Sequence, residues 1–169
     1  YSNIGGSGTY QLLESITANS RIVPSLFASN VTFDLNGYTL TSTATDEAFL
    51  FSRAGSAASH NSYTITNGTI IAPGDGIQLL ANYADLTLNG VTVNAAGDYG
   101  IVTNGTKTGN NITVTDSDIT ADNAGIYKPS NGALTLTNTD VEGNVAVYVK
   151  SGTVAINGGS FTGTGAKAD

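Results

Sequence analysis

Cysteine, methionine and tryptophan are absent from this chain of 169 residues, and histidine occurs once. Without cysteine there is no disulfide, no thiolate nucleophile and no Cys-ligated metal. A lone His60 excludes a multi-histidine metal site within one chain. Charge is scarce as well. Charged residues make up 11 %, against about 25 % in an ordinary soluble domain. Six Lys and Arg stand against thirteen Asp and Glu, for a formal charge of −7. Such a chain lacks the basic footprint that neutralises phosphates, so neither nucleic acid nor an anionic membrane is an expected partner. No apolar run approaches the roughly 18 residues that span a bilayer, so no membrane insertion is expected. A chain with no initiator methionine is not a primary translation product. We expect either a cleaved leader or a piece of something longer. Zero cysteine is compatible with an oxidising, extracellular compartment.

What the chain does have is a repeat. Six segments carry large apolar residues at offsets 0, 2 and 7: Phe33, Leu35 and Leu40; Tyr63, Ile65 and Ile70; Leu86, Leu88 and Val93; Ile112, Val114 and Ile119; Leu134, Leu136 and Val141; Val154, Ile156 and Phe161. Offset 4 is Gly37, Asn67, Gly90, Asp116, Asn138 or Gly158. A further apolar residue follows, as Phe49, Ile77, Ile101, Ile126 or Val147, and Gly76, Gly100 and Gly125 precede three of these. Successive repeats start 30, 23, 26, 22 and 20 residues apart. The variation falls in loops such as 52–61 and 103–110, where stacked repeats accommodate insertions.

Apolar–polar–apolar alternation is the period of a strand with one face inward. Thr, Val, Ile and Tyr favour strands. Gly, Asn and Asp at fixed offsets suit tight left-handed corners. One such repeat cannot bury its own apolar side chains, but stacked repeats can. The expected fold is therefore all-β, a right-handed parallel β-helix of about six to seven rungs. The segment VTFDLNGYTLT at 31–41 resembles the opening of parallel β-helix domains of bacterial and archaeal surface or adhesin-type proteins, and the stretch GTYQLLESITANSRIVP at 8–24 resembles the rung that precedes it there. The resemblance implies the pectate-lyase-like fold, which hosts enzymes, adhesins and plain spacers.

Within that frame residues 1–9 are expected as a flexible Gly/Ser-rich leader and 10–169 as one β-helix domain. Residues 10–30 would form an irregular first rung from Tyr10, Leu12, Ile16, Ile22 and Val23. No amphipathic helix is visible after Ser160–Gly163 to cap the far end. Open ends expose strand edges. They suit either a domain excised from a surface protein or copies stacked end to end as a filament or surface array.

Candidate sites follow from which residues should stack. Asp118 and Asp140 share offset 6 on adjacent rungs, with Asp116 beside one and Glu142 beyond the other. Two carboxylates about 5 Å apart suit Ca²⁺, the one cofactor considered, or a retaining glycosidase pair. Neither Arg21 nor Arg53 falls in register with them to act as a base, and His60 is expected to be isolated in its loop. No catalytic residue is assigned. Tyr127 and Tyr148 follow inward residues and should point outward, one above the other, with Lys128 and Lys150 close by. That face suits a protein partner or a sugar ring. Outward pairs Thr64/Thr66, Thr113/Thr115 and Thr135/Thr137 resemble the arrays of ice-binding solenoids, interrupted by Asp34, Asn36, Asn89, Ala155 and Asn157. Asn30, Asn67, Asn104 and Asn111 head Asn-x-Ser/Thr sequons, a number that so Asn-, Ser- and Thr-rich a chain produces by chance. The function expected is that of a non-enzymatic, secreted or cell-surface module.

Overall fold

The computed structural model describes residues 3–165. The expectations that fall on residues 1–2 and 166–169 lie outside these. Among the described residues there is no helix, and so none able to cross a membrane. Every pairing between named strands is parallel. The chain winds as a β-solenoid of about 7 turns.

Each full turn contributes one strand to each of three faces. On the first face Gly8–Gln11, Asn30–Asp34, residues 61–66, residues 84–89, Asn111–Thr115, Ala133–Thr137 and Thr153–Asn157 pair in that order. The second face runs from Ile16–Ala18 to Phe161–Gly163. Asn61–Ala72 and Ala84–Ala95 continue round the corner between these two faces without a break. The third face is a five-stranded sheet from Glu47–Phe51 to Val145–Val149.

Register turns the apolar repeat into continuous inward columns. Tyr10, Phe33, Ile65, Leu88, Val114, Leu136 and Ile156 form one on the first face. Ile16, Leu40, Ile70, Val93, Ile119, Val141 and Phe161 form that of the second. Phe49, Ile77, Ile101, Ile126 and Val147 form that of the third, with Ile22 bridged above Phe49. Most of these side chains are fully buried. Aromatic packing of Phe33, Phe49, Phe51 and Tyr63 fills the early turns.

The left-handed corners fall where the repeat puts them. Gly37, Asn67, Gly90, Asp116, Asn138 and Gly158 all have positive φ, between 46° and 95°. Two expectations need correction. Residues 3–9 are not simply a leader: Asn3–Ile4 pairs with Val23–Pro24, and Gly8–Gln11 pairs with the next turn. In addition, Phe33 opposes Ile65 and not Tyr63, although Leu40 does oppose Ile70. The first corner is longer by two residues. Leu35 therefore leaves the strand and closes a turn, its carbonyl accepting from Tyr38 N–H at 2.8 Å.

The columns end in exposed apolar groups. Val154 and Ile156 are 46 % and 51 % exposed. At the opposite end an apolar hollow of about 140 Å³ opens between Tyr10, Leu12, Ile16, Phe33 and Leu40.

Candidate functional site

Alternation on the third face aims Tyr127 and Tyr148 outward, because Ile126 and Val147 point in. The two tyrosines are register partners with ring centroids 5.4 Å apart. A third ring, not foreseen, extends the ladder: Tyr99 stacks on Tyr127 at 5.0 Å with planes 27° apart. It does so from the start of its strand, opposite the small Ala124, rather than from the equivalent offset, which is Val102. Lys150 Nζ lies 5.2 Å and 5.4 Å from the Tyr127 and Tyr148 centroids. At an exposed position that cation–π attraction contributes about 0.5–1 kcal/mol. Tyr148 is 48 % exposed, and the other two rings are half-buried. Their faces pack on one another, so the ladder presents mainly edges and hydroxyls.

Lys128 does not join this face. The alternation that sends Ile126 in and Tyr127 out sends Lys128 in again. It stands in an inward column after Phe51, Leu79 and Thr103 and opposite Val149. It is fully buried. Its Nζ donates to the carbonyls of Ser130 at 2.8 Å and Gly132 at 2.9 Å, with Ser151 O at 3.5 Å. Burial pulls its pKa down to about 8.

Beside the ladder lies an acidic hollow of about 420 Å³, formed where residues 45–47, 73–75 and 97–98 stack. Glu47 and Asp75 are register partners. Arg21 Nη1 pairs with Glu47 Oε1 at 2.9 Å and lies 3.7 Å from Asp46 Oδ2. Asp75 Oδ1 accepts the Tyr99 N–H at 2.9 Å, which ties the hollow to the ladder. Burial raises the pKa of the Asp75 carboxyl against that hydrogen bond, and the charges of Asp98 and Glu47 add to the rise. Partial burial, then Asp98, raise the pKa of Tyr99.

On the second face Asp118 and Asp140 are register partners as expected, with Thr92 above and Thr120 opposite Glu142. Ser160 N–H donates to Asp140 Oδ1 at 2.7 Å. Asp116 stays out of this group. It occupies the left-handed corner, where its Oδ1 accepts from Asn138 Nδ2 at 3.1 Å. Among the described residues no three Asp, Glu or His side chains converge to hold a metal ion, so the Asp116–Asp118–Asp140 set expected for Ca²⁺ is not assembled. Two carboxylates directly opposite repel. We expect Asp118→Thr, which repeats the Thr92 arrangement, to raise stability by about 0.5 kcal/mol in urea denaturation. The gain should shrink in 1 M salt, where screening shortens to about 3 Å.

His60 is not isolated. Its Nδ1–H donates to Asp85 Oδ1 at 2.8 Å, and Asn111 Nδ2 donates to the same oxygen at 2.8 Å. Tyr83 packs against the imidazole with a φ of 51°. Loops 52–61 and 103–110 thus meet round Tyr83, whose N–H donates to Thr108 O and whose carbonyl accepts from Asn61 N–H. Arg53 joins there through its carbonyl, which accepts from Asn61 Nδ2 at 2.9 Å, while its buried Nη1 has no hydrogen-bond partner among the described residues. The sequons divide by the same accounting. Asn67 Nδ2 donates to Asp34 and Asn111 Nδ2 to Asp85. Asn30 and Asn104 use their carbonyl oxygens, with Ser62 and Thr106 as donors.

A continuous outward threonine column, Thr9, Thr32, Thr64, Thr87, Thr113 and Thr135, runs down the first face. The neighbouring column reads Gln11, Asp34, Thr66, Asn89, Thr115, Thr137 and Asn157. The paired hydroxyl array is therefore broken by a carboxylate and amides. Comparison with protein families, with curated proteins and with solved structures found no match.

Proposed function

We propose that this chain is a non-enzymatic, extracellular or cell-surface module of the pectate-lyase-like kind, acting as a rigid structural and adhesive element. The observation that carries the reading is the outward tyrosine ladder of Tyr99, Tyr127 and Tyr148, with Lys150 against it. Tyrosine supplies large contact area with few rotatable bonds, which is why it anchors interfaces. Here it stands on a hydrogen-bonded sheet, so little ordering remains to be done on contact. Low charge, no cysteine and abundant Thr, Ser and Asn suit a durable surface rod. The reading gives no catalytic part to Glu47, Asp116, Asp85 or Asp140, which bond to Arg21, Asn138, His60 and the Ser160 N–H.

The test is retention of the purified chain on an array of extracellular proteins and polysaccharides. Wild type is expected to be held by at least one of them, and the triple variant Tyr99→Ser/Tyr127→Ser/Tyr148→Ser at least tenfold less. Equal retention of both, or release of sugar products from the polysaccharides, would sink the reading.

A second reading rests on the ends. Val154 and Ile156 continue the inward columns of Leu134 and Leu136 into solvent, beside the half-buried Phe161 that follows Val141. Strands at both ends run in the same direction, so one copy can extend the ladders of another head to tail. Such a contact does not close and would build filaments. Sedimentation of the wild type beside Ile156→Lys separates the two. Concentration-dependent growth abolished by Ile156→Lys favours assembly. A monomer at all concentrations favours the contact-face reading.

A further inference from the structure

The tyrosine ladder and the acidic hollow form one surface, joined by the Asp75–Tyr99 hydrogen bond. We propose that together they dock a basic polypeptide segment, with an arginine or lysine side chain entering beside Asp75 and Asp98 against Tyr99. This rests on the ladder being the contact face.

Charge complementarity decides the partner. Arg21 already pairs with Glu47 and lies near Asp46, whereas no salt bridge among the described residues reaches Asp75 or Asp98. A guanidinium or ammonium placed there meets two carboxylates, next to Tyr99, whose main-chain N–H is bonded to Asp75. Pairing with carboxylates through its planar fork of donors is the contact arginine makes best. The chain's charge of −7 steers a cationic partner toward it. Lys150 sets the polarity, since a basic group is repelled at the Tyr148 end and must enter at the Tyr99 end. The packing of the rings disfavours a sugar. A sugar polymer needs a run of free ring faces, and Tyr127 is packed between Tyr99 at 5.0 Å and Tyr148 at 5.4 Å. Edges, hydroxyls and carboxylates remain, and a polypeptide engages all three.

The probe is acetylated tetra-arginine amide, titrated calorimetrically against the folded chain at low salt. Wild type is expected to bind. Asp75→Asn/Asp98→Asn, which keeps an acceptor for the Tyr99 N–H, should weaken binding at least tenfold. Tyr99→Leu should weaken it about fivefold, and Lys150→Glu should tighten it about threefold. Asp118→Asn/Asp140→Asn, on the other face, should change nothing. No binding overturns the proposal. So does equal weakening by the Asp118/Asp140 variant, which would mean attraction to net charge alone. An array ligand held through the three tyrosines but indifferent to Asp75→Asn/Asp98→Asn overturns the basic partner and keeps the contact face. Loss of all tyrosine dependence overturns both. Circular dichroism of each variant confirms that the solenoid is intact.

Discussion

Gly100→Val should destabilise this solenoid by about 3 kcal/mol, the upper range for forcing extra carbon into a packed interior. Gly76, Gly100 and Gly125 stack on successive turns of the third face, continued by Ala48 and Ala146. None of the three has positive φ, so conformational freedom is not the reason for glycine. Space is. A Cβ on Gly100 would strike Ile119 Cγ2 and sit 2.6 Å from Gly125 O. One on Gly76 would sit 2.6 Å from Val93 Cγ1, and one on Gly125 would strike Val141. Each glycine lets the third face close on the inward column of the second. Gly37 is the control. Its φ is +80° with nothing within 4 Å of an added Cβ. Gly37→Ala there meets backbone strain alone and should cost about 1 kcal/mol. Urea midpoints at matched m-values measure both. Equal losses at Gly100 and Gly37 would contradict the close-approach account.

The second large effect is a pH dependence that runs opposite to alkaline denaturation. Lys128 is fully buried against carbonyls with no carboxylate partner among the described residues, and burial lowers its pKa from 10.5 to about 8. Between those values the unfolded chain binds the proton and the folded chain does not. Stability therefore rises with pH from about 8 towards 10.5. Up to pH 9.5 the expected gain is about 2 kcal/mol, from 1.36 kcal/mol per pKa unit. Above pH 10 the buried Tyr63 works the other way, because burial raises its pKa and its ionisation favours the unfolded chain. The window of pH 7.5 to 9.5 isolates the lysine. Lys128→Met should show a flat profile there. A rise that persists in the methionine variant, or none in the wild type, would remove Lys128 as its source.

Much of this fold was legible because a solenoid repeats its physics. Period-two alternation named the inward columns, and the offset-4 Gly, Asn and Asp named one left-handed corner in each repeat, though not the left-handed Asn36 and Tyr83. The Asp118–Asp140 and Tyr127–Tyr148 stacks followed from counting. The misses have physical causes. Nearness to Tyr127 in the chain puts Lys128 on the tyrosine face, although alternation one position beyond Tyr127 turns it inward; its three donors make burial tolerable. The first repeat was aligned two residues out of step because Leu35 is apolar and yet closes a corner. Tyr99 reaches the ladder diagonally over Ala124, which no fixed offset encodes. His60 finds Asp85 across a turn of the solenoid, and the acidic hollow gathers side chains from three successive loops. Those contacts depend on how loops of unequal length lie over one another, and spacing within one repeat does not contain that.

The measurement that bears most directly on this account is chemical footprinting of the isolated, folded chain, read residue by residue by mass spectrometry. Brief amine acetylation and tyrosine nitration label what solvent reaches. The predicted pattern is ready labelling of Lys150 and Tyr148, slower labelling of Tyr99 and Tyr127, and protection of Lys128 and Tyr63 until the chain unfolds. Lys128 labelled as fast as Lys150, or Tyr148 protected as well as Tyr63, would mean that the third face does not turn its tyrosines outward and its lysine in, and the contact face would go with it.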